Sequence, residues 1–151
     1  MKKHIRVVSA AIIRDGRYLI TQRMPKAVLP DLWEFPGGKV EPGEDDADAL
    51  ARELRYRVGS DIAVKELISR VERRYDDYVV DLSLYRCELL GPEPRPESVQ
   101  QLAWVASEDF ARYAFTPADE RSMAALLFGS EGGGTKGDAG PNGDGGQVGD
   151  A

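Results

Sequence analysis

The first residues of the chain are mostly apolar and β-branched, and they predict a β-hairpin. Residues 7–13 read Val-Val-Ser-Ala-Ala-Ile-Ile, and residues 18–21 have a similar character. Between them lies Asp15-Gly16, a pair that favours the two-residue turn of a hairpin. Two strands joined at this turn are therefore expected.

Residues 22–43 show neither helical nor strand periodicity and predict a long loop. Turn-forming residues are spread through the segment: Pro25, Pro30, Pro36, Gly37, Gly38, Pro42 and Gly43. A short strand is predicted within it at 33–35. Because long ordered loops in compact domains often carry function, this segment is the first candidate for a functional site.

A helical pattern follows over residues 45–58. Its apolar residues recur at helical spacing on one face: Ala47, Leu50, Ala51, Leu54 and Val58. Acidic residues occupy the first turn, where the helix dipole favours them: Asp45, Asp46 and Asp48. Gly59 then provides a natural C-terminal stop, and the pattern predicts a helix over 45–58.

The rest of the pattern predicts further strands and two more helices. Strands are expected after the helix, at 62–71, 78–89 and near 102–105. Ser107 is expected to cap a short helix that ends at residue 112. Pro117 suits the first turn of a last helix, which is expected to end near residue 128.

The distribution of glycine divides the chain in two. Ten of its 16 glycines lie between Gly129 and Gly149. Residues 129–151 have too little apolar content to offset the entropy cost of ordering. We therefore expect one folded domain over residues 1–128, followed by a disordered glycine-rich tail over 129–151.

Charge and composition exclude several classes of protein. The formal net charge is −6, so the basic footprint of a duplex-binding protein is absent. No apolar run is long enough to span a membrane, and the run near the N-terminus stops at Arg14, which is too early for a signal peptide. Cys87 is the only cysteine, which excludes an intrachain disulfide and a cysteine-rich zinc site. We expect a cytoplasmic protein that binds neither duplex nucleic acid nor membrane.

The segment that begins at Gly38 resembles the Nudix box. The matching residues, at the spacing of that motif, are Gly38, Glu44, Arg52, Glu53, Leu54 and Gly59. Residues 33–39 and 20–23 further resemble the MutT-like subgroup of the family. The resemblance covers about residues 5–128, and it implies an α/β Nudix fold, an α/β/α sandwich with a mixed β-sheet.

The resemblance implies a chemistry as well as a fold. Nudix enzymes hydrolyse a nucleoside diphosphate linked to another group, and MutT-like members act on nucleoside triphosphates. Magnesium bridges the phosphates and neutralises developing charge while water attacks. The resemblance therefore implies Mg²⁺ as cofactor and a nucleoside di- or triphosphate as partner.

The family pattern assigns roles to individual residues of the box. It implies that Glu44 and Glu53 are catalytic, and that Gly38, Glu53 and Glu97 bind the metal. Arg52 is expected to have a structural role, in which it pairs with Glu44 or with a carbonyl of the nearby loop.

Substrate-binding roles are implied for residues on both sides of the box. Arg23 and Lys39 are expected to contact phosphate, Phe35 to stack on a base, and Asp119 to accept from a base amino group. Two of these residues also have simpler interpretations. Arg23 is equally typical of a surface arginine, and Asp119 of an acid at the start of a helix.

The box departs from the family pattern where metal ligands are expected. Tyr56 and Arg57 stand three and four residues after Glu53, where the family has two glutamates. Arg57 places a fixed positive charge where the cation should sit, and like charges at about 4 Å repel by about 4 kcal/mol at an effective dielectric near 20. A loop carboxylate is also displaced, since Ser98 stands at its position and Glu97 one residue earlier.

Two functions remain open on this sequence. The first is a MutT-like, magnesium-dependent nucleoside triphosphate pyrophosphohydrolase whose activity is reduced or lost because metal-binding carboxylates are missing. The alternative is a catalytically inactive Nudix domain that binds a nucleotide or a protein partner. In that alternative Arg57 is a substrate-binding residue that holds a phosphate in place of the metal.

Overall fold

A computed structural model of the chain describes residues 2–27, 29–117 and 119. Its strands, in chain order, are β1 Lys3–Arg14, β2 Arg17–Gln22, β3 Trp33–Glu34, β4 Gly37–Lys39, β5 Asp61–Arg74, β6 Tyr78–Gly91 and β7 Gln101–Val105. An α-helix, α1, spans Asp46–Val58, and a short 3₁₀ helix spans Ser107–Arg112.

The strands form one mixed sheet with β1 in the middle. Over residues 3–12, β1 runs parallel to β6, whereas its pairings with β2 and β4 are antiparallel. On one side β6 pairs with β5, and on the other β2 pairs with both β3 and β7. The α/β class and the mixed sheet are therefore confirmed.

Local signals in the sequence place the hairpin turn and the helix ends correctly. Asp15 and Gly16 adopt positive φ angles of 53° and 77° in the turn between β1 and β2. The side chain of Asp45 accepts the N–H of Asp48 at 2.8 Å and caps α1, so the helix begins one residue later than predicted. Gly59 ends it in the left-handed conformation, with φ of 72°.

The central strand contributes buried residues to both faces of the sheet, since successive side chains of a strand point to opposite sides. One cluster joins α1 to the sheet and contains Val8, Ala10, Ile12, Leu19, Ala49, Leu50, Leu54, Val58, Ile62 and Cys87. A second cluster contains Ala11, Ile20, Phe35, Leu84, Val105, Phe110 and Phe115. Cys87, as one of these core residues, has a thiol whose pKa is raised to about 12 by burial.

The segment predicted as a long loop contains a second strand, β4, that the sequence did not indicate. Gly37 and Gly38 pair with Ser9 and Val8 of β1. A Cβ atom at position 37 would lie 1.9 Å from the carbonyl oxygen of Val8, so only glycine permits this close pairing. Two of the three residues of β4 are glycines, so the strand has no side-chain periodicity and the pattern indicated a loop.

Two predictions near the end of the folded part have different outcomes. The expectation that Ser107 caps a helix is wrong, because Ala106 precedes the 3₁₀ helix and makes no side-chain capping bond. Pro117 and Asp119 are helical, but the remainder of the predicted last helix and the glycine-rich segment 129–151 lie outside the described residues. Among the described residues, no helix is long and apolar enough to span a bilayer.

Candidate functional site

The box residues meet where α1 faces β4, and Glu53 lies at the centre of this junction. Glu53 is a helix residue that is only 8% exposed. A Cβ atom at position 38 would lie 2.3 Å from its carboxyl carbon, so the glycine in β4 allows the backbone to lie directly against the carboxylate. Gly38 therefore leaves the space that the Glu53 carboxylate occupies.

Arg52 ties the loop before α1 to the helix. It donates from Nε and Nη2 to both carboxylate oxygens of Glu44, at 2.7 and 2.8 Å, and from Nη2 to the carbonyl of Lys39 at 3.0 Å. It also donates from Nη1 to Oε2 of Glu53 at 2.9 Å. Both kinds of partner predicted for Arg52, Glu44 and a loop carbonyl, are thus present.

The pKa of Glu44 reflects this pairing. The hydrogen bonds from Arg52, followed by that from the Glu41 N–H, lower the pKa of the Glu44 carboxyl to about 2. Glu44 is therefore held ionised, with both of its oxygens engaged by Arg52. Its contacts are those of a residue that fixes the loop.

Arg57 turns toward Glu53 rather than into solvent. Its Nε donates to Oε1 of Glu53 at 2.7 Å, and the two side chains are 25% and 11% exposed. Since Arg52 holds the other oxygen of Glu53, an arginine binds each carboxylate oxygen. Tyr56, the neighbouring departure from the family pattern, is 63% exposed.

Glu34 is a further charged residue at this junction, and sequence reasoning did not single it out. Arg23 donates to it from Nη1 at 3.1 Å. Burial raises the pKa of the Glu34 carboxyl, while the charges of Arg23 and Arg57 oppose that rise. The sequence signal for Glu34 is its place in residues 33–39, which resemble the MutT-like subgroup.

The charged side chains alternate in sign along this junction. Arg23 pairs with Glu34, Arg57 lies within electrostatic reach of Glu34 and pairs with Glu53, and Arg52 bridges Glu53 and Glu44. We call this set the arginine–glutamate row: Arg23, Glu34, Arg57, Glu53, Arg52 and Glu44. Its three arginines balance its three glutamates, in contrast to a cluster of carboxylates.

Asp119 is buried next to the backbone of Phe35, within electrostatic reach of Glu34 and Arg23 of the row. Its Oδ2 accepts the Phe35 N–H at 3.1 Å and the Thr116 hydroxyl at 3.3 Å. Its Oδ1 is buried and has no hydrogen-bond partner among the described residues. Burial and, secondly, the charge of Glu34 raise the pKa of the Asp119 carboxyl well above its usual range.

The other predicted substrate residues are not gathered at one point. Phe35 is 1% exposed, and its ring packs against Tyr18, Phe110 and Phe115 in the core. The expectation that a base stacks on Phe35 therefore conflicts with this structure, because the ring offers no exposed face. Lys39 is exposed, and the contact it makes at the junction is through its carbonyl to Arg52.

Glu97 lies near the row but is directed elsewhere. The loop around it caps the C-terminal end of α1, since the N–H groups of Glu97 and Ser98 both donate to the carbonyl of Arg57 at 3.1 and 3.0 Å. The Glu97 carboxylate pairs with Nε of Arg95. Glu97 thus approaches Arg57 through its backbone, while its carboxylate is engaged outside the row.

Comparison with known proteins decides the family. The profile of the NUDIX domain family matches residues 8–125. The chain belongs to the Nudix family. Among curated Nudix relatives, the CTP pyrophosphohydrolase of Escherichia coli K12 is 36% identical over 125 residues, which cover 83% of this chain and 93% of that protein. A putative 8-oxo-dGTP diphosphatase 2 of Mycobacterium tuberculosis H37Rv is 38% identical, over 80% of this chain and 86% of the relative.

Solved structures agree with this Nudix assignment. The solution structure of the E. coli ORF135 protein superposes with a TM-score of 0.75 at 31% identity, covering 89% of this chain and 96% of that one. A MutT Nudix hydrolase from Burkholderia pseudomallei superposes with a TM-score of 0.71 at 26% identity, covering 83% and 99% of the two chains. The similarity to MutT-like Nudix proteins therefore extends over nearly the whole of the described domain.

Nudix hydrolases generally use a divalent metal, commonly Mg²⁺, and the described residues do not fit such an ion. Magnesium prefers an octahedral set of oxygens that includes free carboxylates. Here Glu44, Glu53 and Glu97 are all paired with arginines. In the part of the chain that the structure describes, no group of three or more histidine, cysteine, aspartate or glutamate side chains is placed to hold a metal ion.

Proposed function

We propose that this chain is a MutT-like Nudix domain that binds a nucleoside triphosphate and hydrolyses its pyrophosphate bond slowly or not at all. The relatives support the ligand class, since their names specify CTP and 8-oxo-dGTP. The observation that carries the proposal is the 2.7 Å hydrogen bond from Nε of Arg57 to Oε1 of Glu53. The guanidinium of Arg57 thus occupies the position where the family pattern has a carboxylate.

Electrostatics explains why this change weakens hydrolysis. Relative to the family pattern, Tyr56 removes one negative charge and Arg57 changes the local charge by two units, so the helix face is three units more positive. Like charges at about 4 Å repel by about 4 kcal/mol, which corresponds to about a thousandfold in metal affinity. Family chemistry depends on a metal ion to neutralise the phosphates during attack by water.

The domain still has residues that can bind a nucleotide. Arg23 and Lys39 are assigned to the phosphate chain, and Asp119 to the base, where its unpartnered Oδ1 suits a hydrogen bond to the ligand. Glu53 and Glu44 are assigned to holding arginines rather than to catalysis. A reducing cytoplasm suits the buried free thiol of Cys87.

A restoration experiment tests the proposal. Pyrophosphate and phosphate release would be measured with Mg²⁺ and a panel of CTP, dGTP and 8-oxo-dGTP. We expect the wild-type chain to stay within about tenfold of a Glu53→Gln control, because no free carboxylate cluster supports the metal. The double variant Tyr56→Glu/Arg57→Glu should raise kcat/KM by at least about 100-fold, since it restores the charges that metal binding requires.

The controls test whether the gain in hydrolysis depends on the carboxylate of Glu53. Adding Glu53→Gln to the double variant should abolish the gain, because the restored cluster then lacks its central carboxylate. If the wild-type chain already turns over a nucleotide as fast as the double variant, the proposal is wrong. In that case the Arg57–Glu53 pair opens when substrate binds.

A further inference from the structure

We propose that Arg57 is a built-in cation that binds the phosphate chain of a nucleotide without any metal ion. The inference rests on the proposed function, because it concerns the same ligand site, and it specifies how the ligand is held. The structural basis is that Arg57 is bound to the protein through one edge of its guanidinium group, which leaves the other edge for a ligand.

The hydrogen bonds of Arg57 define that open edge. Its Nε is bonded to Glu53 at 2.7 Å. Its Nη1 and Nη2 groups have no hydrogen-bond or ion-pair partner within the described parts of the chain. A guanidinium presents pairs of N–H groups whose geometry matches two phosphate oxygens, and the 25% exposure of the Arg57 side chain leaves it reachable from solvent.

The surroundings hold Arg57 in place before any ligand arrives. Its anchor, Glu53, lies against Gly38 and is fixed at its second oxygen by Arg52. The loop containing Glu97 and Ser98 is bonded to the Arg57 carbonyl. A side chain that is already ordered loses less entropy on binding, so this arrangement favours affinity for an anion.

The charge balance of the arginine–glutamate row also favours the binding of a phosphate chain. A cluster of carboxylates repels a phosphate chain unless cations are added, which is the electrostatic role of magnesium. The arginine–glutamate row contains its own cations and is neutral as a whole. Arg23 and Arg57 both act on the half-buried Glu34, so two positive groups lie within electrostatic reach of that carboxyl. A phosphate chain that binds here therefore meets glutamates whose charges are balanced by arginines, together with the open edge of the Arg57 guanidinium.

Calorimetric titration in EDTA tests the inference directly. The probes are CTP and inorganic tripolyphosphate, which separate recognition of the phosphate chain from recognition of the nucleoside. We expect both to bind the wild-type chain in EDTA, with CTP the tighter. Arg57→Gln should weaken both by about tenfold or more, as expected for loss of a charge-assisted pair of hydrogen bonds.

Arg55→Gln is the matched control because Arg55 lies on the same helix and its loss changes the net charge equally. Arg55 pairs with the exposed Asp61 at 2.8 Å, away from Glu53. We expect this variant to bind both probes within about twofold of wild type, since surface charges contribute little at moderate salt. Arg57→Lys keeps the charge without the two-pronged geometry, and it should bind several-fold more weakly than wild type.

The outcomes distinguish this inference from the proposed function. Binding that needs Mg²⁺, or that is equal in wild type and Arg57→Gln, overturns the inference but leaves a nucleotide-binding domain. Binding by Arg57→Lys equal to wild type likewise contradicts a role for the guanidinium edge. Failure of tripolyphosphate, CTP, dGTP and 8-oxo-dGTP to bind, both in EDTA and with Mg²⁺, removes the inference and the proposed function together. Urea denaturation of each variant confirms that the comparison is made between folded proteins.

Discussion

The two arginines that hold Glu53 differ in how many of their hydrogen-bond donors are used. Arg52 engages all three of its nitrogens, on Glu44, Glu53 and the Lys39 carbonyl. Arg57, five residues further along α1, is bonded through Nε to Glu53, and its two terminal nitrogens have no partner among the described residues. Their exposures are similar, 36% and 25%, so burial does not separate them. What separates them is hydrogen-bond saturation.

This difference teaches that the contacts joining the Nudix-box loop to α1 do not depend on the metal-binding carboxylates that the family has at positions 56 and 57. At Arg52 the chain follows the family pattern, and the contacts bind the loop to the helix. At Arg57 it departs from that pattern, and the same carboxylate receives a second guanidinium. The contacts that join the loop to the helix are therefore present, while the charges on this part of the helix differ from the family pattern. A saturated arginine indicates a structural role, and an unsaturated one leaves donors for a ligand.

The largest effect on this comparison is expected from Gly38→Ala, because it acts on the carboxylate that both arginines share. The added Cβ would lie 2.3 Å from the Glu53 carboxyl carbon. The side chain must then move and loosen both ion pairs, at a cost of about 1–3 kcal/mol for overpacking. Urea denaturation of the variant measures this loss as a fall in the free energy of unfolding.

A double-mutant cycle identifies the cause of that loss. In a Glu53→Ala background the carboxyl group is gone, so Gly38→Ala should cost less than it does in the wild-type chain. If the cost is the same in both backgrounds, the collision with Glu53 is not its source. The strand pairing of β4 with β1 would then account for it.

Most of the fold could be predicted from the sequence, because its signals are local. The hairpin turn at Asp15-Gly16 and the cap at Asp45 depend on the conformations that those residues favour. Apolar, β-branched runs bounded by turn residues likewise placed most strands within a few residues. β4 escaped prediction because its glycines have no side chains to show a period. Ser107 was wrongly expected to cap a helix because its residue type alone does not specify capping geometry.

The candidate site was less predictable, because it depends on contacts between distant parts of the chain. The box spacing identified Arg52 and its partner Glu44, which are eight residues apart. The direction of Arg57 did not follow from the sequence, since an arginine at that position on a helix reaches either solvent or Glu53. Phe35 was expected at a base, but three aromatic residues from other elements enclose it. Glu34 belongs to the site through its contact with Arg23, which lies eleven residues earlier in the chain.

A smaller effect is expected from the pH dependence of the Arg52–Glu44 contact. The pKa of Glu44 is lowered to about 2 in the folded chain, chiefly by hydrogen bonds from Arg52, against an ordinary value of 4.5. A carboxyl with a lowered pKa stabilises the fold above its unfolded pKa, and this stabilisation is lost as the pH falls toward about 2. Wild type should therefore lose more stability between pH 6 and about pH 3 than Glu44→Gln does.

The measurement is urea denaturation of both proteins across that pH range, together with NMR titration of the Glu44 carboxyl. Other carboxylates titrate in the same window, but they are common to both proteins and cancel in the difference. In Arg52→Gln the pKa of Glu44 should rise toward its ordinary value. A pKa that stays low in Arg52→Gln would show that the Glu41 N–H, rather than Arg52, holds the charge.

The smallest effect is expected at Arg55, whose ion pair is as short as that of Arg57 but lies in solvent. The Arg55–Asp61 pair measures 2.8 Å with side chains 62% and 53% exposed, whereas the Arg57–Glu53 pair measures 2.7 Å with 25% and 11%. Exposed pairs contribute about 0–1 kcal/mol, because water screens the charges and the side chains lose entropy. Arg55→Gln should therefore change the free energy of unfolding by less than about 0.5 kcal/mol, and added salt should reduce the change further. A larger, salt-independent loss would show that the short distance between the partners, and not their burial, decides how much such a pair contributes.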